Sequence, residues 1–192
     1  MNQLFTADWH LNHSKIMFHC KRDFRDVNHM GQVFFENLEA VREPGDMLYF
    51  LGDLTLTGKM VTEFLDLFRG MRVQVCFLFG NHDYEACNKI MNHPVVVWAG
   101  DIKDIKLRAK DAAYLPLIEW PAVLCHYPMR SWNRSVHGAR HLHGHSHAAA
   151  REWKNTLDVG IDNAFKLLGE YRPFTAQEVK DQIDRINKEV QF

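Results

Sequence analysis

The chain has 192 residues, of which 46% are hydrophobic and 12% aromatic, so we expect a folded globular protein. Its net charge of −1 gives no global basic field of the kind that holds duplex nucleic acid. The four cysteines occur singly, which argues against a thiolate zinc site or a CxxC redox motif. No signal-peptide pattern and no apolar stretch of about 18 residues is present, so we expect a cytoplasmic protein without membrane association.

Strand and helix patterns alternate in the first half of the chain. β-rich runs at 4–8, 46–53 and 73–83 each end in polar residues, and helical patterns at 34–42 and 61–70 separate them. This order predicts βαβ crossovers and a largely parallel sheet.

After Pro94 the pattern changes to short strands with little helix between them. We expect a second, mostly antiparallel or mixed sheet that packs on the first, built from the runs 95–100, 102–109, 122–127, 140–144 and 155–160. A final helix over 175–190 begins at Thr175, and Glu178 completes a capping box. With no internal repeat or linker, one domain over 1–192 is expected.

Polar side chains follow five of the predicted strands. Ligands gather at the carboxyl ends of strands in open α/β sheets, so these residues are candidates for a site. Each has an ordinary alternative as a cap, a turn residue or a satisfied core histidine. Capping alone does not account for all five groups, which are Asp8 with His10, Asp53, Asn81 with His82 and Asp83, His126, and His145 with His147.

Asp, His and Asn without cysteine form a ligand set suited to Mn²⁺, Fe, Zn²⁺, Co²⁺ or Ni²⁺. The candidates exceed the positions of a single ion but suit two ions about 3.5 to 4 Å apart that share a carboxylate. The sequence therefore predicts a dinuclear metal site at the strand ends, with Mn²⁺ as the first choice. Such a pair, with a shared hydroxide, is suited to in-line displacement at phosphorus.

The segment HLHGHSH at 141–147 has histidine at every second position. On an extended strand its first and last histidines would lie roughly 20 Å apart, so at most a neighbouring pair can serve one compact site. The alternative is a strand whose histidines bond to backbone or water.

The motifs DWH, GD, GNHD, a lone histidine and GHSH, in this order from Asp8 to His147, resemble the five-part signature of calcineurin-like metallophosphoesterases. The chain is further similar to small stand-alone bacterial and phage-encoded members. This resemblance implies an α/β fold of four layers, an α/β/β/α sandwich with helices outside two facing mixed sheets.

The resemblance also implies roles for the residues. One metal would be bound by Asp8, His10, Asp53 and His147, and the other by Asp53, Asn81, His126 and His145, with Asp53 bridging. His82 would face the scissile phosphate as proton donor or transition-state stabiliser, with Asp83 orienting it, and a metal-bridging hydroxide would attack phosphorus. His143 would at most support a ligand, and His141 would belong to the strand before Gly144.

Two differences from better-known branches of this family narrow the choice of substrate. The GD motif lacks the arginine of Ser/Thr phosphatases, and Leu56 stands where purple acid phosphatases have a metal-binding tyrosine. A phosphodiesterase acting on a small or nucleotide-type diester is the first choice, and a phosphomonoesterase the second. A non-catalytic protein-binding scaffold and a nuclease for longer nucleic acid rank lower, and the oligomeric state is left open.

Two residues are candidates for substrate contact. His13 would touch phosphate or support a ligand, and Arg130 would clamp a phosphate. Trp132 would either stack on a base or pack on the second sheet. The segment 121–160 has a local excess of three positive charges, which would steer a phosphoester or simply be a solvated surface.

Overall fold

A computed structural model describes residues 1–111 and 114–190 as a mixed α/β fold with two mixed sheets. The strands described are β1 (Gln3–Thr6), β2 (Met47–Phe50), β3 (Gln74–Leu78), β4 (Val96–Gly100), β5 (Ile102–Asp111), β6 (Tyr114–Cys125), β7 (Arg140–His143), β8 (Thr156–Asp158) and β9 (Phe174–Thr175). The α-helices described are α1 (Ser14–His19), α2 (Val27–Val41), α3 (Val61–Gly70), α4 (Cys87–Met91), α5 (Ile161–Leu168) and α6 (Ala176–Glu189). None of these helices is long and apolar enough to cross a bilayer.

The first sheet has the strand order β4-β3-β2-β1-β9. Strands β1 to β3 pair in parallel, as predicted, β4 adds to β3 in parallel, and β9 joins β1 antiparallel. The expectation that the run 95–100 belongs to the second sheet is wrong, because β4 pairs with β3. The helix that makes this crossover possible is α4, whose five residues are too few for a periodic pattern.

The second sheet has the order β5-β6-β7-β8. Strands β5 and β6 form an antiparallel hairpin, whereas β7 and β8 add in parallel, so the sheet is mixed, one of the two forms expected.

Two apolar cores follow from the alternation of side chains along the first sheet. On one face Phe50 and Phe77 pack against α2 and α3. On the other face Phe5 and Leu78 meet Leu124 of the second sheet and the apolar face of α6. The sheets therefore face each other across a shared core, while the four-layer arrangement stays a prediction.

Candidate metal centre

A buried tryptophan anchors the loop that follows β1. Trp9 is fully buried among aromatic rings that include Phe34, Phe50 and Phe68, and its indole N–H donates to Thr6 Oγ1 at 2.8 Å. Because Trp9 points into the first core, its neighbours Asp8 and His10 are held at the end of the sheet.

The loop after β2 lies directly beside this first loop. The Asp8 amide donates to the Gly52 carbonyl and the His10 amide to the Asp53 carbonyl, each at 3.0 Å. Gly52 has φ +88°, and a Cβ there would lie 2.6 Å from both the Gly80 amide and His126 Nδ1. The glycine of the GD motif therefore permits the close approach of two further loops.

The GNHD turn after β3 is tied to Asp53. The His82 amide donates to Asp53 Oδ1 at 3.0 Å, and the Asp83 carboxylate accepts from the amides of Asp53 at 2.6 Å and Gly80 at 2.8 Å. Burial raises the pKa of Asp83 to about 7, although these backbone hydrogen bonds oppose the increase. Asp83 thus connects the loops after β2 and β3. Its role in orienting His82 stays a prediction. Asn81 is exposed in the same turn.

His126 follows β6 and is fully buried. Its Nδ1 is 2.7 Å from the Leu51 carbonyl, so Nδ1 is the donor nitrogen and Nε2 is left for another partner. That Nε2 lies 3.6 Å from Asp53 Oδ2.

The HGHSH loop after β7 brings in the last two candidates. The His145 amide donates to Asp8 Oδ2 at 2.9 Å, and His147 Nδ1 contacts Asp162 Oδ2 at 2.7 Å. A Cβ on Gly144 would lie 2.6 Å from the Ala7 Cβ. Gly144 is therefore required for space beside the first loop.

The side chains of six of the predicted ligands converge in two groups. Asp8, His10 and His147 form one, and Asp53, His126 and His145 form the other, with ligand atoms within 4.8 Å of one another in each. His10 Nε2 lies 3.5 Å from Asp53 Oδ2, which links the groups. Two ligands of one ion at about 2.1 Å would lie roughly 3 to 3.4 Å apart, close to these distances.

The groups contain buried polar atoms that fit a cation. Asp8 Oδ1, both ring nitrogens of His10 and His126 Nε2 are buried without a hydrogen-bond partner among the described residues. Such atoms are costly unless something compensates them. Burial lowers the pKa of His10 to about 2, helped by the charges of His147 and Arg22, and burial raises the pKa of Asp8 well above its usual value. A neutral imidazole beside a buried carboxylate suits a divalent metal ion.

Several of the predicted ligands have a backbone in the left-handed region. Five of the predicted ligands have positive φ, which are Asp8 (61°), His10 (48°), Asp53 (57°), His145 (66°) and His147 (47°). Each such non-glycine residue costs of order 1 kcal/mol, so the surrounding hydrogen bonds hold them in place.

His82 and His13 border the first group. The His82 side chain is 34% exposed, and its Nε2 lies 4.0 Å from Asp53 Oδ2. Both rings lie near His10, with centroid distances of 5.2 Å for His82 and 5.6 Å for His13. Burial lowers the pKa of His13, which favours the neutral ring.

The other histidines of HLHGHSH have hydrogen-bond partners outside the two groups. His141 bonds the Val123 carbonyl and the Met129 amide, and His143 Nδ1 contacts the Gly144 carbonyl. Both lie in β7, before Gly144, whereas His145 and His147 lie in the loop after it.

The segment 121–160 offers less free positive charge than its sequence indicates. Arg140 is only 6% exposed, with its guanidinium 4.5 Å from the Trp120 ring centroid. Trp132 packs against His141 and donates to the Ala139 carbonyl, which favours the packing alternative. Arg130 is exposed, and its contact with substrate stays a prediction.

Sequence reasoning missed Arg22, Asp158 and Asp162. Asp158 accepts from the Ser146 hydroxyl at 2.6 Å and the Ala148 amide at 3.0 Å, and so supports the HGHSH loop. The two aspartates lie in and just after β8, where the same strand-end argument could have found them. Arg22 lies in a polar stretch with no such signal.

The His/Asp groups at the strand-end loops of the two mixed sheets could hold metal ions. A family model described as calcineurin-like phosphoesterase matches residues 1–161. The chain belongs to the calcineurin-like phosphoesterase family, which implies metal-dependent hydrolysis of phosphoesters.

Two individual proteins are also similar. An uncharacterized protein of Methanocaldococcus jannaschii, MJ1445, is 38% identical over 80 residues, which cover 40% of this chain and 44% of that protein. The match therefore spans less than half of that relative. The crystal structure of AQ665, a protein of unknown function from Aquifex aeolicus, superposes with a TM-score of 0.65 at 18% identity, covering 96% of this chain and 98% of that one. This likeness concerns the fold alone.

Proposed function

We propose that the protein is a phosphodiesterase that hydrolyses a small or nucleotide-type phosphodiester with two divalent metal ions, Mn²⁺ being the first choice. The observation that supports this most directly is the convergence of the two His/Asp groups around Asp53. Its Oδ2 lies 3.5 Å from His10 Nε2 and 3.6 Å from His126 Nε2, as expected of a carboxylate shared by two ions.

The first ion is assigned to Asp8, His10, Asp53 and His147, and the second to Asp53, Asn81, His126 and His145. Bound divalent ions would supply a water of lowered pKa and neutralise negative charge on the phosphoryl oxygens. The protein's part is to hold the ligands in fixed loops.

His82 is assigned as the proton donor to the leaving oxygen. Its backbone amide is fixed on Asp53 Oδ1, while a third of its side chain is open to an incoming ester. A histidine so placed can donate a proton as the P–O bond breaks. His13 and Arg130 are assigned to contact the substrate.

The two buried arginines, Arg22 and Arg140, give no support to a monoester. The Arg22 guanidinium is bonded to Asp162 and to two backbone carbonyls, and that of Arg140 lies over Trp120. Neither offers a free positive charge to the substrate. A monoester carries nearly one more negative charge than a diester at neutral pH, since its second pKa is about 6.

The test is metal analysis of the purified protein followed by assay of bis(p-nitrophenyl) phosphate and p-nitrophenyl phosphate with Mn²⁺, Ni²⁺ or Zn²⁺. We expect bound metal and a higher kcat/KM for the diester. A preference for the monoester would instead identify a phosphomonoesterase. Bound metal without hydrolysis of either ester would favour the non-catalytic scaffold.

A further inference from the structure

Arg22 is a buried arginine that joins two parts of the candidate metal centre. It is 3% exposed and comes from the segment between α1 and α2. Its Nη2 donates to the Asp8 carbonyl at 2.7 Å and its Nη1 to the Trp9 carbonyl at 2.9 Å. The guanidinium therefore holds the backbone of the loop that presents Asp8 and His10.

The other side of the same guanidinium holds Asp162. Arg22 Nε and Nη2 donate to the two Asp162 carboxylate oxygens at 2.7 and 2.8 Å, a bidentate pair. Asp162 is the second residue of α5, so this pair ties α5 to the loop after β1.

Asp162 in turn orients His147. Its Oδ2 accepts from His147 Nδ1 at 2.7 Å, which fixes the ring so that Nε2 is the nitrogen left for another partner. The ring lies 5.1 Å from that of His10, centroid to centroid. Cys20 also lies near, but the Asp162 carboxylate is paired with the Arg22 guanidinium, whose positive charge argues against a third cation at Cys20, His147 and Asp162.

The second group is held mainly by different contacts, although the His145 amide also donates to Asp8 Oδ2 at 2.9 Å. His126 is fixed by the Leu51 carbonyl, and His145 packs against the His126 and Tyr127 rings at centroid distances of 5.1 and 4.9 Å.

We propose that Arg22 and Asp162 are positioning residues that set the geometry of the Asp8, His10 and His147 half of the centre and affect the His126 and His145 half less. This inference rests on the proposed function, because it requires the two groups to bind two ions.

The test uses Mn²⁺ alone as the probe and the full chain with Arg22→Gln or Asp162→Asn. Partners that orient metal ligands typically account for about 10- to 100-fold in metal affinity. We expect isothermal titration to show one of the two Mn²⁺ sites weakened by about tenfold or more, with the other weakened less. Electron paramagnetic resonance should change from an exchange-coupled pair to the spectrum of an isolated Mn²⁺.

Arg140→Gln is the matched control. Arg140 is also a buried arginine, at 6% exposure, but its carboxylate partner, Asp184 at 3.5 Å, belongs to α6 and not to the centre. This variant should lose stability yet bind both ions with wild-type affinity. Asp162→Asn keeps the shape of the side chain and serves as the test if Arg22→Gln does not fold.

The possible outcomes separate this inference from the proposed function. Retention of both sites at wild-type affinity in Asp162→Asn, or equal weakening of both, would overturn the inference while leaving a two-metal enzyme in place. A wild-type protein that binds no Mn²⁺ would overturn both.

Discussion

Asp53 lies between the two halves of the candidate centre. Its carboxylate accepts from the His82 amide and lies near the imidazole nitrogens of His10 and His126. Its position after an apolar strand made it predictable, because the strand-end argument needs only the local sequence.

We predict that Asp53→Asn lowers bound Mn²⁺ from about two ions per chain to fewer than one, and abolishes hydrolysis with it. The amide removes one negative charge from the position that two cations would share. Elemental analysis after gel filtration measures this directly. A fully metal-loaded, active variant would contradict the bridging assignment.

His82→Ala should lower activity without loss of metal, because His82 is assigned as the proton donor to the leaving oxygen and not as a ligand. We expect kcat to decrease by about 10²- to 10⁴-fold while metal content stays near wild type. His137→Ala is the control, since His137 is an exposed histidine outside the two groups. Loss of both ions in His82→Ala would show that His82 is a ligand.

The contact of Arg22 with Asp162 could not be predicted from the sequence. Its partner Asp162 is 140 positions away, and no local pattern connects them. Such a contact depends on the packing of α5 against the loop after β1, which only the folded chain defines.

At the scale of elements, the longer periodic segments were found, though not always with their full bounds. The helix α3 has the predicted bounds, and the capping box of Thr175 and Glu178 opens α6 as expected. The helix α2 begins at Val27, seven residues before the predicted start at 34. The helices α1, α4 and α5 have eight residues or fewer, at most about two turns, which is too short for a clear periodic pattern. Missing α4 led directly to the wrong sheet for β4.

The start of α6 supports a prediction on pH. Glu178 accepts from the Thr175 amide at 2.8 Å and pairs with both terminal nitrogens of Arg172, at 2.9 and 2.6 Å. Burial raises the pKa of Glu178, but these hydrogen bonds outweigh it and leave the pKa below its usual value. The resulting stabilisation is therefore present above the unfolded pKa of about 4.3 and is lost as pH decreases through the lower folded pKa.

We accordingly expect Glu178→Gln to reduce the free energy of unfolding by about 1 to 2 kcal/mol at pH 7. The difference from wild type should be smaller at pH 3 than at pH 7. Urea unfolding at the two pH values measures this difference. The control is Glu189→Gln, which removes an exposed partner of Arg185. An equal loss at both pH values would mean that the carboxylate charge does not contribute.

At the scale of the whole molecule, the loops at the strand ends of two sheets meet at one place. The isolated pairing of Ala7 with Gly160 connects the end of β1 to the segment after β8, so the sheets meet beside Asp8. A ligand bound there would contact segments from both sheets and stabilise the fold as a unit.

We predict that Mn²⁺ at about 100 times its Kd raises the melting temperature by about 5 to 10 °C for each occupied site over the chelated protein, since each such site adds about 2.7 kcal/mol. Differential scanning calorimetry with and without a chelator gives the shift. Asp53→Asn should show almost none of it, and an equal shift in that variant would indicate binding elsewhere.

The five predicted ligands with a left-handed backbone have a consequence for the evolution of the sequence. Glycine would relieve the backbone at each of them, and none of the five is glycine. Random mutation followed by selection for thermal stability alone should therefore favour losses at these positions first, so that the centre disappears while the two cores persist. Descendants that retain all five residues would indicate continued selection for the chemistry of the site.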